Sequence, residues 1–258
     1  MSTLPPSSGL ALHFAAWEPN GLEGAGLSSG DFLTTWKNRG TLGVADASQA
    51  TRANQPMWKT ARSRWPAVQF DSVSDRFDIP GSNSTLKFVH ETGVFDLFLT
   101  LRGGVNKYGV VIGNSFNVGD LGFLVERVHN VAGAPLTFYL FLGAGNYRAF
   151  AMSTYYVPAA PSFEPGCASK VLFRGSGVGT RLQSSSDFST FFTTSGGGSG
   201  DVLPALPTGN ATQTAQVGGI GSNYFFGGEV LDIALYNRNL SAGELTTMTT
   251  YLNERYGV

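Results

Sequence analysis

Residues 224–258 read Tyr-Phe-Phe-Gly-Gly-Glu-Val-Leu-Asp-Ile-Ala-Leu-Tyr-Asn-Arg-Asn-Leu-Ser-Ala-Gly-Glu-Leu-Thr-Thr-Met-Thr-Thr-Tyr-Leu-Asn-Glu-Arg-Tyr-Gly-Val, and the fold turns on this stretch. The run Glu229–Tyr236 is apolar enough for a strand. Ser241-Ala-Gly-Glu244 then forms a capping box: the Ser241 hydroxyl accepts from the amide three residues on, and Glu244 reaches back to the Ser241 amide. Leu240 and Leu245 occupy the two positions of a hydrophobic staple. Leu245, Met248, Leu252 and Tyr256 continue at helical spacing, and Gly257 ends the run. The stretch predicts a strand, a turn and one capped carboxyl-terminal helix whose apolar stripe packs on the strands before it.

Upstream the period changes from helical to twofold. Phe95, Leu97, Leu99 and Leu101 share one side of Val94–Leu101, as do Leu136, Phe138, Leu140 and Leu142 in the next long run. Leu10, Leu12, Phe14 and Ala16 do the same near the amino terminus. Shorter runs fall at 68–70, 77–79, 108–112, 123–128, 147–156 and 170–174, with Gly, Asn, Ser and Pro between them. Alternation punctuated by turns predicts an all-β, two-sheet antiparallel sandwich. Leu136–Leu142 is apolar on both faces, which suits a central strand or one whose outer face meets another layer or a partner. The Ser/Thr/Gly-rich stretch 184–200 reads as a long surface loop within one domain, since the segment 202–236 beyond it is too short to fold alone. The expected organisation is a flexible arm over residues 1–9 and a single domain over 10–258.

Composition supports this. There are 34 Gly and 19 Phe, 42 % of residues are hydrophobic and only 14 % charged, which favours short strands and many turns around one core. With 17 basic and 18 acidic residues the formal net charge is −1 and no like-charge run exists, so nucleic acid and membrane insertion are not expected. The amino terminus lacks the basic region of a signal peptide, and the expected place of synthesis is the cytoplasm. Cys167 is the single cysteine, which excludes an intrachain disulfide; without a nearby base it reads as an inert thiol.

The order of motifs resembles the concanavalin A-like lectin/glucanase superfamily, in its laminin-G-like form. The terminal "F-x-G", apolar strand, "Y-N-R-x-L-S-x-x-E" and "Y-L-x-x-[KR]-Y-G" are matched by residues 225–257. Trp36-Lys-Asn-Arg-Gly40 is similar to "W-x-(D/N)-x-S-G", Asn54-Gln-Pro-Met-Trp58 to "Q-P-x-[YW]", and Pro66-Ala-Val-Gln-Phe-Asp71 to the start of "P-A-V-x-F-D-G-x-x-D". The resemblance covers about residues 10–258 and implies a jelly-roll sandwich. Read from the residues alone, Asp71 and Asp75 hold a turn by accepting from its amides. Trp36 and Trp58 read as wedges at the sandwich rim rather than sugar platforms.

Catalytic signatures are absent. Related glucanases carry E-x-D-x-x-E on one strand, which sets paired carboxylates on one face. Here Glu229-Val-Leu-Asp232 has a spacing of three, which in a regular strand sends the two acids to opposite faces, and Glu244 belongs to the capping box. Ser29-Gly-Asp-Phe-Leu-Thr-Thr-Trp36 is a near miss to a sialidase aspartate box, with Leu33 in the place of the turn glycine. His13, His90 and His129 fall in no metal or triad spacing. Asp71, Asp75, Asp78 and Asp120 are scattered rather than gathered in an Asp-dense calcium loop. No metal, cofactor or catalytic residue is assigned. Asn83, Asn210 and Asn239 open glycosylation sequons that, without a secretory signal, read as coincidental.

Three functions are open on these grounds. The first is a non-catalytic structural or surface protein of a virus or phage particle (a decoration, cement or tail-associated protein), with capsid or tail subunits or copies of itself as partners and glycan adhesion as an accessory. The second is a carbohydrate-binding or adhesion module of a bacterial protein, with Trp17, Trp58, Tyr147, Tyr155, Tyr156 and Tyr224 as candidate stacking residues. The third, a glycoside hydrolase, lacks its acids.

Overall fold

The structure is a computed structural model, and it describes residues 3–21, 26–60, 65–102, 109–115, 120–127, 135–142, 147–156, 168–189, 202–203, 207–222 and 224–258. Among these residues the strands are β1 (Leu10–Ala15), β2 (Thr35–Trp36), β3 (Ala47–Ser48), β4 (Met57–Lys59), β5 (Ala67–Asp71), β6 (Phe77–Ile79), β7 (Val94–Arg102), β8 (Gly109–Gly113), β9 (Phe123–Arg127), β10 (Pro135–Leu142), β11 (Tyr147–Tyr156), β12 (Ala168–Ser176), β13 (Gln183–Ser185), β14 (Ala215–Val217) and β15 (Gly227–Tyr236). Helices α1 (Ser82–Thr85) and α2 (Phe88–Glu91) are single turns, and α3 (Ala242–Tyr256) closes the chain.

The strands form two antiparallel sheets packed face to face, the sandwich that the alternation predicts. The first runs β13-β12-β7-β15-β5-β4, and β1 shares with β5 one edge of β15. The second runs β11-β10-β9-β8-β14-β6-β3-β2. Phe95, Leu97, Leu99 and Leu101 of β7 meet Phe138, Leu140 and Leu142 of β10 in the core between the sheets. The side chain of Leu136 lies outside the described residues.

A second core covers the outer face of the first sheet. Phe98, Leu231, Ala234 and Tyr236 pack there against Leu240, Leu245, Met248, Tyr251, Leu252 and Tyr256. The capping box forms as the sequence predicts: Ser241 Oγ accepts from the Glu244 amide, and Glu244 accepts from the Ser241 amide at 2.9 Å. Gly257 takes the left-handed conformation at φ 68° that ends the helix. The turn before it is organised by Asp96, fully buried in β7, whose carboxylate accepts from Arg174 at 2.7 and 2.5 Å and from the Leu240 amide at 2.8 Å.

Several expectations are corrected. A bulge between Leu10 and Leu12 sends Leu10 to the helix-side core, while Leu12, Phe14 and Ala16 face the sandwich interior. A second bulge between Val230 and Asp232 resets the alternation of β15, so Glu229 and Asp232 both lie on its outer, helix-covered side. The stretch that reads as a loop from residue 184 begins instead as β13, and Phe188 plugs the second core with its ring edge-on to Phe98 at 5.0 Å; residues 190–201 lie outside the described set. Residues 3–9 are bonded to their own chain and end in a turn at Ser8 and Gly9. The Thr3 amide donates to Glu254 at 2.8 Å, Tyr236 Oη donates to the Pro6 carbonyl, and Arg238 Nε donates to the Ser8 carbonyl.

Candidate functional site

Most residues singled out from the sequence serve the frame. Trp36 and Trp58 are buried, and their indoles donate to the Ala15 and Ala16 carbonyls at 3.1 and 2.9 Å. Asn38 bridges the outer edge of β1: its Oδ1 accepts from the His13 amide and its Nδ2 donates to the Ala11 carbonyl. The segment similar to an aspartate box covers the β4 edge, with the Gly30 amide donating to the Trp58 carbonyl and the Leu33 amide to the Pro56 carbonyl.

Asp71 accepts from the amides of Val73, Ser74 and Asp75. Burial pushes its carboxyl up, but these amides and the Ser74 hydroxyl outweigh burial and hold it below the usual range. Asp75 is pushed up to about 7, first by burial and then by the charge of Asp71. The acids nearest a glucanase motif are both engaged by side chains of the frame: Arg102 Nε donates to Glu229 at 2.6 Å, and Tyr251 Oη donates to Asp232 at 2.7 Å. His13 Nε2 lies 3.4 Å from the same Asp232 carboxylate, and His90 is buried against the Gly209 carbonyl. His129 and Cys167 lie outside the described residues. Asp78 lies in β6 with the Gln216 amide, and Asp120 in the loop before β9. Among the described residues no group of three or more His, Cys, Asp or Glu side chains stands together in a way that could hold a metal ion. No described helix is long and apolar enough to cross a membrane.

The six candidate stacking aromatics divide. Trp58 is core; Trp17 is half-buried under the Arg255 guanidinium, 5.2 Å from its ring. Tyr224 is 52 % exposed on a loop at φ 56°. The side chains of Tyr147, Tyr155 and Tyr156 lie outside the described residues.

The outer face of the second sheet gathers a different set. Because Phe77, Ile79, Ala215, Val217, Phe123, Val125, Phe138 and Leu140 fill the core, their alternates Asp78, Gln216, Leu124, Glu126, Tyr139 and Phe141 turn outward. Direct pairing sets a row: Asp78 beside Gln216, then Gly113, Leu124 and Phe141. Four strand spacings make it about 19 Å long. At the apolar end the half-buried rings of Tyr139 and Phe141 stand 6.0 Å apart at 31°. At the polar end Gln216 Nε2 donates to Asp78 Oδ1 at 2.5 Å while its Oε1 accepts from the Gly221 amide at 2.8 Å, so the amide is held at both ends. Midway, a Cβ on Gly113 would come within 2.7 Å of Leu124 Cδ1 and 2.8 Å of the Phe123 carbonyl oxygen, so the row steps down at a position that takes no side chain. Glu126 pairs beside Tyr139, and burial pushes its carboxyl up.

Aromatic faces carry partial negative charge and attract polarised C–H groups, while the carboxylates and the fixed amide present hydrogen-bonding atoms. Half-buried rings in line with fixed polar groups suit a ligand with one apolar side and many hydroxyls. The sequence reading missed Tyr139 and Phe141. Their signal was the two-sided apolarity of Leu136–Leu142.

Comparison with solved structures places the architecture. The chain is similar to Trypanosoma rangeli sialidase in complex with the inhibitor DANA, at 15 % identity and a TM-score of 0.55 over 95 % of this chain. The same sialidase as a covalent intermediate with 2,3-difluorosialic acid gives 16 % identity and 0.55 over 98 %. The fold is a lectin-like sandwich. The chain spans about a third of the length of those sialidase chains (33 % and 34 %), so the likeness is one of fold alone. Ruminococcus gnavus IT-sialidase CBM40 bound to α2,3-sialyllactose is similar more loosely, with 13 % identity and a TM-score of 0.48 over 71 % of this chain and 95 % of that one. No family model and no curated protein matches the sequence.

Proposed function

We propose that this protein is a non-catalytic glycan-binding module of concanavalin A-like kinship, and that its ligand lies across the strands of the second sheet. The observation that carries this reading is the row from the Tyr139–Phe141 pair to the Asp78–Gln216 pair. Sugar rings stacked on the aromatics would direct hydroxyls along the row towards the carboxylate and amide, and its length of about 19 Å accommodates several sugar units. The sialidase likeness is compatible with a carbohydrate-related role and supplies no specificity.

Binding without cleavage accords with where the acids lie. Glu229 and Asp232 are buried on the other sheet beneath α3, each engaged by side-chain partners. Glycan binding ranks ahead of the particle-surface role expected from sequence, because the outward rings sit beside hydrogen-bonding groups rather than in an all-apolar patch. A covering role would use the same face as a contact between subunits, and it predicts assembly in place of saccharide binding.

The test is a glycan array followed by calorimetry on the best ligand, with Tyr139→Ala and Phe141→Ala checked for an unchanged fold. Saturable binding, lost in both variants and with no sugar released, supports the proposal. Binding that is indifferent to both variants, or turnover of the ligand, overturns it.

A further inference from the structure

The segment 207–214 runs from the end of the sandwich into β14, which carries Gln216. Among the described residues, backbone bonds hold it at two points: the Ala211 amide donates to the Asn83 carbonyl at 2.9 Å, and the Thr212 amide to the Leu121 carbonyl at 3.2 Å. Ser82 Oγ accepts from the Ala215 amide at 2.6 Å, where the strand begins. A further tie is a side chain. His90, on α2 and fully buried, stands with Nε2 3.0 Å from the Gly209 carbonyl oxygen.

The carbonyl can only accept, so Nε2 carries the proton and Nδ1 keeps a bare lone pair. That Nδ1 is buried with no hydrogen-bond partner among the described residues. A second proton on the ring would create a buried cation with no acceptor for Nδ1 among the described residues. We infer that His90 is an acid-released latch: its neutral ring clamps residues 207–214 onto α2, and protonation frees the segment that leads into Gln216.

The surrounding charges neither rescue nor duplicate the effect. Burial pulls the ring below its ordinary value of 6.5 and outweighs the Gly209 carbonyl, which favours the proton; Glu91 also favours the proton and Lys87 opposes it. Those two pair with each other at 3.2 Å across one helical turn. Residues 207–214 contain no titratable side chain. On β7, against which α2 packs, Asp96 is held by Arg174 and Arg102 by Glu229. Asp120 precedes Leu121 in the loop whose carbonyl receives Thr212. The sign comes from linkage: the opened segment takes up the proton more readily than the closed one. Closure is therefore complete above about pH 6.5 and weakens as pH falls through the lowered value.

The latch is tested without any ligand, by amide hydrogen exchange of residues 209–216 between about pH 7.5 and about pH 5, corrected for intrinsic exchange. In the wild type, protection should fall by up to tenfold per pH unit below about pH 6.5, the limit for one proton. His90→Gln, whose amide reaches the same carbonyl without titrating, should stay protected throughout; His90→Phe should be unprotected at every pH. If His90→Gln loses protection in step with the wild type, or the wild type stays protected to about pH 5, the latch is wrong. Should His90→Phe fail to fold, His90→Gln alone still decides.

Discussion

Tyr251 Oη donates to Asp232 Oδ2 at 2.7 Å, tying the middle of the last strand to the terminal helix inside the outer core. Tyr256 Oη donates to the same oxygen at 3.2 Å, and His13 Nε2 lies 3.1 Å from the Tyr251 hydroxyl. Removing the acceptor should therefore cost more than removing one donor. Tyr251→Phe is expected to lower unfolding free energy by about 1 kcal/mol, and Asp232→Ala by about 3 kcal/mol because it strands two hydroxyls. Urea denaturation of both variants measures the difference; equal losses would refute the shared-acceptor account.

A second expectation concerns pH. The folded value of Asp75, about 7, lies above its unfolded 3.8, so the native state binds the proton more tightly. This contribution is fully present below 3.8 and lost as pH rises through about 7. Asp75→Asn keeps an acceptor for the Asp71 amide and does not titrate. Its melting temperature should fall less than that of the wild type between acid and mildly alkaline buffer, with the two curves diverging on the alkaline side.

The cap is the next target. Ser241→Ala removes the acceptor for the Glu244 amide and should cost about 1 kcal/mol, whereas Ser241→Asp should cost much less. Chemical denaturation of the two variants separates capping from a general effect of substitution.

On the outer face of the second sheet, Gly113→Ala sets a methyl group against Leu124 Cδ1 and the Phe123 carbonyl. Glycan affinity should fall at least tenfold, with a loss in stability of about 1–3 kcal/mol from overpacking. Calorimetric titration at a temperature where the variant is folded reads the affinity separately. Unchanged affinity would move the ligand off the centre of the row.

What was legible in the sequence was local. The Ser241–Glu244 box and the stripe from Leu245 to Tyr256 act over one to four helical turns, and both stand as read. Phe95 to Leu101 and Phe138 to Leu142 were legible because no bulge interrupts them. Glu229 and Asp232 were misplaced because one bulge in β15 reverses every later side chain, and a bulge leaves no compositional mark. Phe188 was hidden in a Ser-rich stretch, since its burial depends on Phe98, ninety positions away in the chain. The row on the second sheet draws on strands scattered from Asp78 to Gln216, so only strand order could assemble it.

The Thr3–Glu254 contact sets residues near the two ends of the chain side by side at the helix-covered back of the sandwich. The Tyr139–Phe141 face points the other way. A linker attached at either end would thus grip the domain like the handle of a stamp, leaving the printing surface turned outward whichever end is tethered. Immobilisation through residue 3 or residue 258 should expose the same ligand face, and a circular permutant joining the two ends needs only a short splice.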